Sequence, residues 1–173
     1  MSSMNDDQQR QIFDWWVKEH RGLLFKIVHA YAFSAHDRDD LFQEIITQVW
    51  NSIPRFRGES RVTTWLYRVA LNSSLSWTRK ERRHRGRTEV LDEHAPVLRE
   101  PVPPQNRRLE WLHEEIAKMD HVDRSLTLLL LEGCSYREMA DILGVSENNI
   151  GVKINRLKAR LIEKSKETTA HEL

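Results

Sequence analysis

Between Ser135 and Leu161 the chain reads SYREMADILGVSENNIGVKINRLKARL, and the second half of that stretch carries side chains suited to reading DNA. Glu147, Asn148, Asn149, Lys153, Arg156, Lys158 and Arg160 stand off an apolar stripe formed by Ile150, Ile154, Leu157 and Leu161. Asn can pair with adenine through two hydrogen bonds, and Arg with guanine or with a phosphate. The spacing supplies the scaffold. Ala140 is small enough for two helices to touch, Gly144 follows four residues later where a turn wants left-handed backbone, and Ile150 packs the second helix back on the first. Ser146 is placed to cap that second helix. A helix hairpin that binds nothing would share these packing signals. Its outer face, however, would more often alternate Glu with Lys. Glu147, Asn148, Asn149, Lys153, Arg156 and Arg160 are therefore the candidate DNA contacts of a helix-turn-helix.

A second constellation lies upstream. Arg79, Lys80, Arg82, Arg83, Arg85 and Arg87 crowd together with Glu81 the only acid between them. Phosphate neutralises such a cluster, whereas a solvated helix end leaves it repelling itself. Just before it, FRGESRVTTWLYRVALNSSLSW mixes hydroxyls, arginines, Asn72 and aromatic rings. Unstacked bases ask for such a mixture, edge hydrogen bonds beside a stacking surface. Trp65 and Tyr67 open an amphipathic helix and are expected in its core. Arg61, Arg68 and Asn72 have less reason to be buried. With Arg79, Lys80 and Arg83 they make the second set of candidate nucleic-acid contacts. A third group is acidic. Asp40, Gln43 and Glu44 share a helix face at i, i+3 and i+4, partly as ordinary helix-start acids and partly as a patch able to meet a basic protein surface.

The chain that must position these groups has 173 residues, 39% hydrophobic and 31% charged, enough for one domain or two small ones. Six glycines and five prolines are few for a turn-rich β fold and point to helices. The formal net charge of +1 hides blocks: residues 1–54 carry −3, residues 55–87 carry +8, and residues 88–120 carry −4. Helical periodicity runs over residues 9–31, from the acidic start at Asp37 to about Ser52, and from about Arg61 to His84. It resumes at Arg107, with further helices over Val122 to Glu132 and through the helix-turn-helix. Thr88 to Asn106 holds Pro96, Pro101, Pro103 and Pro104 and reads as a linker. The expected fold is all-α: two small helical domains, 8–87 and 107–167, joined by a flexible linker over 88–106, the C-terminal one a helix-turn-helix.

The lone Cys134 excludes an internal disulfide and fits a reducing cytoplasm. No apolar run reaches membrane-spanning length, and the N-terminal MSSMNDDQQRQ lacks the pattern of a signal peptide. The expectation is a cytoplasmic protein without membrane insertion. Eight histidines show no metal-ligand spacing, and no nucleophile-elbow, phosphate-loop or dinucleotide pattern occurs. An enzyme is disfavoured, and no metal or cofactor is expected.

Taken in order, DDLFQEIITQVW, FRGESRVTTWLYRVALNSSLSWTRKERR and SYREMADILGVSENNIGVKINRLKARL resemble the sigma-70 superfamily. More narrowly, they resemble its extracytoplasmic-function group, which keeps regions two and four. That resemblance implies a transcription initiation factor that binds core RNA polymerase at its clamp coiled coil and flap, together with promoter DNA and an anti-sigma factor. It assigns Asp40, Gln43 and Glu44 to the clamp. Arg61, Arg68, Asn72, Arg79, Lys80 and Arg83 fall to capture and melting of the −10 element. Glu147, Asn148, Asn149, Lys153, Arg156 and Arg160 fall to the −35 element. The acidic linker would thread the polymerase RNA path. The chain departs from the family's Leu-Pro pair with Met119-Asp120-His121-Val122-Asp123-Arg124. It also carries Gly151 within the recognition helix, which costs about 1 kcal/mol against Ala and suggests close backbone approach to DNA. With a short run of residues after the helix-turn-helix, no added regulatory domain is expected. The rival reading is a helix-turn-helix regulator that acts without polymerase, and it leaves the acidic patch and the first domain's basic stretch without a use.

Overall fold

The computed structural model describes residues 5–85 and 107–171. Among them are eight α-helices and one 3₁₀ turn, and no strand. The expected linker, Thr88 to Asn106, lies outside the described residues, as do Arg87 and the side chains of Arg82 and Arg85. The chain divides into two compact units, 1–118 and 119–173.

The first unit is built on four helices: α1 (Asp6–Glu19), α2 (Arg21–Tyr31), α3 (Ala35–Ser52) and α4 (Val62–Arg85). Continuous apolar periodicity across residues 9–31 breaks into two helices at His20, which leaves helical geometry at φ −106° and ψ 21°. The third helix begins earlier than its acidic run suggested, because Ser34 caps it by accepting a hydrogen bond from the Asp37 N–H at 3.0 Å. Leu24, Ile27, Val28 and Tyr31 of α2 meet Leu41, Ile45 and Val49 of α3 and Leu66, Ala70 and Leu71 of α4, all buried. Each fully buried Leu or Ile contributes about 1.5–3 kcal/mol. The buried faces of α2 and α3 are therefore sufficient to fix the rotation of α4. Ser73 and Ser74 sit in that interface with their hydroxyls turned back to the Val69 and Ala70 carbonyls, both at 2.8 Å. A 3₁₀ turn over Ile53–Arg55 ends α3, and residues 56–61 lead into α4.

Helix α5 (Arg107–Lys118) packs against α2 and so falls in the first unit by contact, whereas sequence periodicity assigns it to the second domain. The second unit holds α6 (His121–Leu131), α7 (Tyr136–Leu143) and α8 (Glu147–His171). Asp120, standing near where the family has its Leu-Pro pair, caps α6 by accepting the Asp123 N–H at 2.9 Å. Ser135 and Glu138 form a capping box at the start of α7. Gly144 ends α7 with φ +68°, the left-handed turn its spacing predicts. Ser146 then caps α8 through the Asn149 N–H at 3.3 Å. Met139 and Ile142 close on Ile150, Ile154 and Leu157, while Leu126 and Leu129 complete the core from α6.

Gly151 turns its bare side to another helix of the same unit. A Cβ there would point at the Tyr136 ring, 3.6 Å from Cε2. The bare side of this glycine faces α7 rather than the open side of α8, and 3.6 Å is ordinary contact distance. The two glycines of the motif should therefore respond oppositely to alanine. Gly151→Ala should raise the stability of the second unit by about 0.5–1 kcal/mol, through helix propensity. Gly144→Ala should lower it by about 1 kcal/mol or more, since alanine is strained at positive φ. Urea denaturation followed by helical circular dichroism measures both. A loss of stability in Gly151→Ala would show that the Tyr136 contact is already too tight.

Candidate nucleic-acid interface

The burial of α4 on α2 and α3 decides which of its polar groups reach solvent. Arg61, Arg68, Asn72, Arg79 and Arg83 are all exposed, at intervals of seven and four residues. Those intervals return to the same side of a helix, so the five line up over about 33 Å at 1.5 Å per residue. Ser76 shares their side. Lys80 is exposed but one residue off, rotated about 100° from Arg79. The Arg83 Nε donates to the Arg79 backbone carbonyl at 3.3 Å, which folds the Arg83 side chain back along the helix at its basic end. Tyr67 is core, as expected. Trp65 is half-buried, and its indole Nε1 donates to Ser52 Oγ at 3.3 Å.

Residues 56–61 connect α3 to this stripe. Phe56 is half-buried, while Arg57, Gly58, Glu59, Ser60 and Arg61 are exposed. Gly58 turns the loop at φ +74°. The Phe56 ring stands edge-on between two indoles: Trp16 at 5.0 Å and 88°, and Trp65 at 5.5 Å and 62°. Neither the Trp16 contact nor its meaning is visible in local sequence pattern, because the two residues are forty positions apart.

On α3, Asp40 and Gln43 are exposed and Glu44 is half-buried at the edge of the same side. The three are brought together as the i, i+3, i+4 spacing predicts. Asp40 stands 3.4 Å from His36 Nε2, and Glu44 accepts a hydrogen bond from Gln48 at 3.1 Å. His36, Asp40, Glu44 and Gln48 thus form one longitudinal row at the edge of the patch. Sequence reasoning left out its two ends.

On α8, burial of Ile150, Ile154 and Leu157 turns Asn148, Val152 and Asn155 to the centre of the open side, with Asn149 and Arg156 beside them. Val152 and Asn155 were missed. The signal was available, since both stand opposite the apolar stripe. An apolar residue on a polar helix draws less notice, although a thymine methyl needs such a contact. Lys153 is half-buried on the flank, and Glu147 is exposed in the first turn, where its charge suits the helix dipole. The Arg160 guanidinium pairs with the Asp123 carboxylate of α6 and fastens the two helices. Lys158 is exposed without lying at the centre of the open side. Cys134, before α7, is half-buried. Burial and then the Glu138 and Glu132 carboxylates push its thiol pKa up, leaving it a weak nucleophile at neutral pH. Among the described residues no cluster of His, Cys, Asp and Glu could hold a metal, and no helix is long and apolar enough to cross a membrane.

Two helical units, one with an arginine-lined helix and the other with a capped helix-turn-helix, are the architecture of a nucleic-acid-binding protein. Residues 16–84 match the family Sigma-70 region 2, and residues 109–161 match Sigma-70, region 4. The chain belongs to the sigma-70 family, in its extracytoplasmic-function group. It is 26% identical to the ECF RNA polymerase sigma-E factor of Haemophilus influenzae, over 90% of this chain and 88% of that one. It is likewise 26% identical to RNA polymerase sigma factor YlaC of Bacillus subtilis, over 90% of each. Its fold is similar to that of the sigma factor RpoE from Bartonella quintana, solved in complex with the anti-sigma factor NepR. The TM-score is 0.75 at 20% identity, covering 90% of this chain and 98% of that one.

The placements on α8 separate Arg160 from Asn155. Arg160→Ala should lower stability by at most about 1 kcal/mol, as for a half-exposed ion pair, and leave base preference unchanged. Asn155→Ala should cost about 1–3 kcal/mol of discrimination at one upstream base pair. Transcription from a panel of promoter variants checks both, and a changed preference in Arg160→Ala would place that guanidinium on DNA.

Proposed function

We propose that this sigma factor grips core RNA polymerase through the exposed side of α3 and engages promoter DNA at two separate places. Asp40, Gln43 and Glu44 form the polymerase anchor, an acidic and polar patch suited to a basic partner surface at the clamp coiled coil. The flap is the second polymerase contact. Arg61, Arg68, Asn72, Arg79, Lys80 and Arg83 act on the −10 element, the cations on phosphate and Asn72 on a base taken out of the stack. Glu147, Asn148, Asn149, Lys153, Arg156 and Arg160 were assigned to the −35 element. Within that set the open side of α8 favours Asn148, Asn149 and Arg156, joined by Val152 and Asn155, and Arg160 supports them from behind.

The observation that carries this reading is the single exposed line of Arg61, Arg68, Asn72, Arg79 and Arg83 on α4, in the same chain as a helix-turn-helix. Flipping a base costs a few kcal/mol, so contacts made only to an opened strand favour melting. A regulator that works without polymerase would need the helix-turn-helix alone, and the region 2 match over the first unit disfavours it. Functionally the domains run over 8–87 and 107–167. The region 4 match from residue 109 supports placing α5 in the second. Sigma factors are generally non-enzymatic initiation factors, so the chemistry of RNA synthesis stays with the polymerase. The Bartonella quintana relative in its complex supports an anti-sigma partner here too, and a cytoplasmic place of action follows from the task.

Charge reversal at Asp40 and Glu44 should weaken affinity for core polymerase about tenfold or more while helical content is retained. An unchanged titration against core enzyme would refute the anchor. Asn72→Ala should initiate poorly on a duplex promoter and recover on a template already mismatched across the −10 element. Equal defects on both templates would mean that Asn72 serves some other step.

A further inference from the structure

Helix α1 is mostly polar, and only two of its fourteen residues, Gln9 and Trp16, are buried. Both are directed at one place, together with Phe13 between them. The Gln9 side-chain amide donates to the Trp50 carbonyl at 2.8 Å. The Phe13 ring meets the Trp50 ring edge-on at 5.4 Å and 82°. Trp16, 3% exposed, meets Phe56. Positions 9, 13 and 16 fall on successive turns of one helix side, and they grip the end of α3 and the first residue of the loop that follows. The loop itself has little else at that end. Beyond the Phe56 N–H donating to the Ile53 carbonyl at 3.0 Å, the ring between two indoles is what fixes it. Its far end is set by the start of α4, where the Trp65 N–H donates to the Arg61 carbonyl at 3.1 Å. Between these two fixed points lie only exposed residues.

We propose that α1 is a brace for the 56–61 loop, and that Trp16 is a positioning residue for promoter melting. The proposal rests on the reading that this loop and α4 act on the opened −10 element. A flipped base is held by groups placed to within about 0.5 Å, and a loop meets that tolerance only if its ends are locked by packing. Trp65 is on the neighbouring helix and moves with the loop's own segment. Trp16 comes from a separate helix, so it ties the loop to the body of the unit. Gln9 and Phe13 keep α1 itself from sliding along α3.

The test uses full-length protein in holoenzyme, with Trp16→Leu, Trp16→Phe and Phe56→Leu. Leu keeps an apolar filling but loses the ring edge, whereas Phe keeps it. Open-complex formation on a duplex promoter should fall about fivefold to tenfold in Trp16→Leu, the factor an edge-to-face ring pair can supply. Base preference across the −10 element should flatten. Trp16→Phe should restore both, and core affinity should stay within about twofold of the parent, because the brace does not touch the partner. Phe56→Leu should reproduce the defect, and combining it with Trp16→Leu should add little, since both remove one contact. If Trp16→Leu fails to fold, Trp16→Phe and Phe56→Leu still decide. Unchanged −10 preference in Phe56→Leu, or a loss of core affinity in Trp16→Leu as large as its loss of melting, overturns the brace. Asn72→Ala runs in parallel to separate the failures. If it impairs melting while the Trp16 and Phe56 variants do not, the brace is wrong and the site stands. If none of the three affects melting, the site reading itself fails.

Discussion

Everything the first unit presents to a partner depends on the burial of one side of α4 between α2 and α3. Ten basic and two acidic residues lie between positions 55 and 87. Such side chains repel one another, and an isolated helix would have no preferred direction in which to display them. Leu66, Ala70, Leu71, Ser73 and Ser74 remove the freedom of rotation. Once they are inside, Arg61, Arg68, Asn72, Arg79 and Arg83 can only be outside, in one line. The serines matter as much as the leucines. Their hydroxyls return to the helix's own carbonyls and so enter the core at small volume with no unmet hydrogen bond. Bulkier residues there would push α4 away from α2 and turn the line of cations. The charge repulsion is thus tolerated because hydrophobic burial on the opposite side outweighs it, by several leucine-sized contributions of about 1.5–3 kcal/mol each.

The second unit solves the same problem with shorter helices, so its turns carry more of the burden. An eight-residue helix is too short to be stable by propensity. α7 is therefore held at both ends, by the Ser135–Glu138 box and by left-handed Gly144. α8 is longer and begins at a cap of its own. Its recognition side is aimed by Ile150, Ile154 and Leu157 against α7, and its far part by Arg160 against Asp123 of α6. Asp123 also gives its carbonyl to Thr127 and its N–H to the Asp120 cap, so the acid that receives Arg160 is itself fixed. A cation far along a recognition helix is often read as a phosphate contact. Here its guanidinium also pairs with Asp123 and so ties α8 to α6.

Much of this was legible in the sequence, for physical reasons that also mark where legibility stops. Helical period finds α3, α4, α6, α7 and α8, because each has a continuous apolar side of its own. Gly144 and Ser146 were readable because a left-handed turn and an N-cap select residue types locally. The break at His20 was not, since the apolar period passes through it and no Pro or strong cap marks the site. The partner of Arg160 and the ring contact between Trp16 and Phe56 were illegible because they join residues far apart in the chain. Gly151 is partly legible for a related reason: its conformational cost is local, but what its missing side chain would meet, the Tyr136 ring, lies on another helix.

The contact of α5 with α2 shows how sequence membership and physical packing can part company. Region 4 by sequence starts at residue 109, yet α5 rests on a helix of the first unit. A twelve-residue amphipathic helix cannot leave its apolar side in water. It must lie on something, and in this structure α2 supplies the surface. α2 is also the helix against which α4 is seated. The helix that seats α4 and the resting place of α5 are therefore the same eleven-residue helix. α2 serves two packing partners with one apolar helix, and because a close-packed core has low compressibility, a substitution in α2 that changes its volume is felt by both.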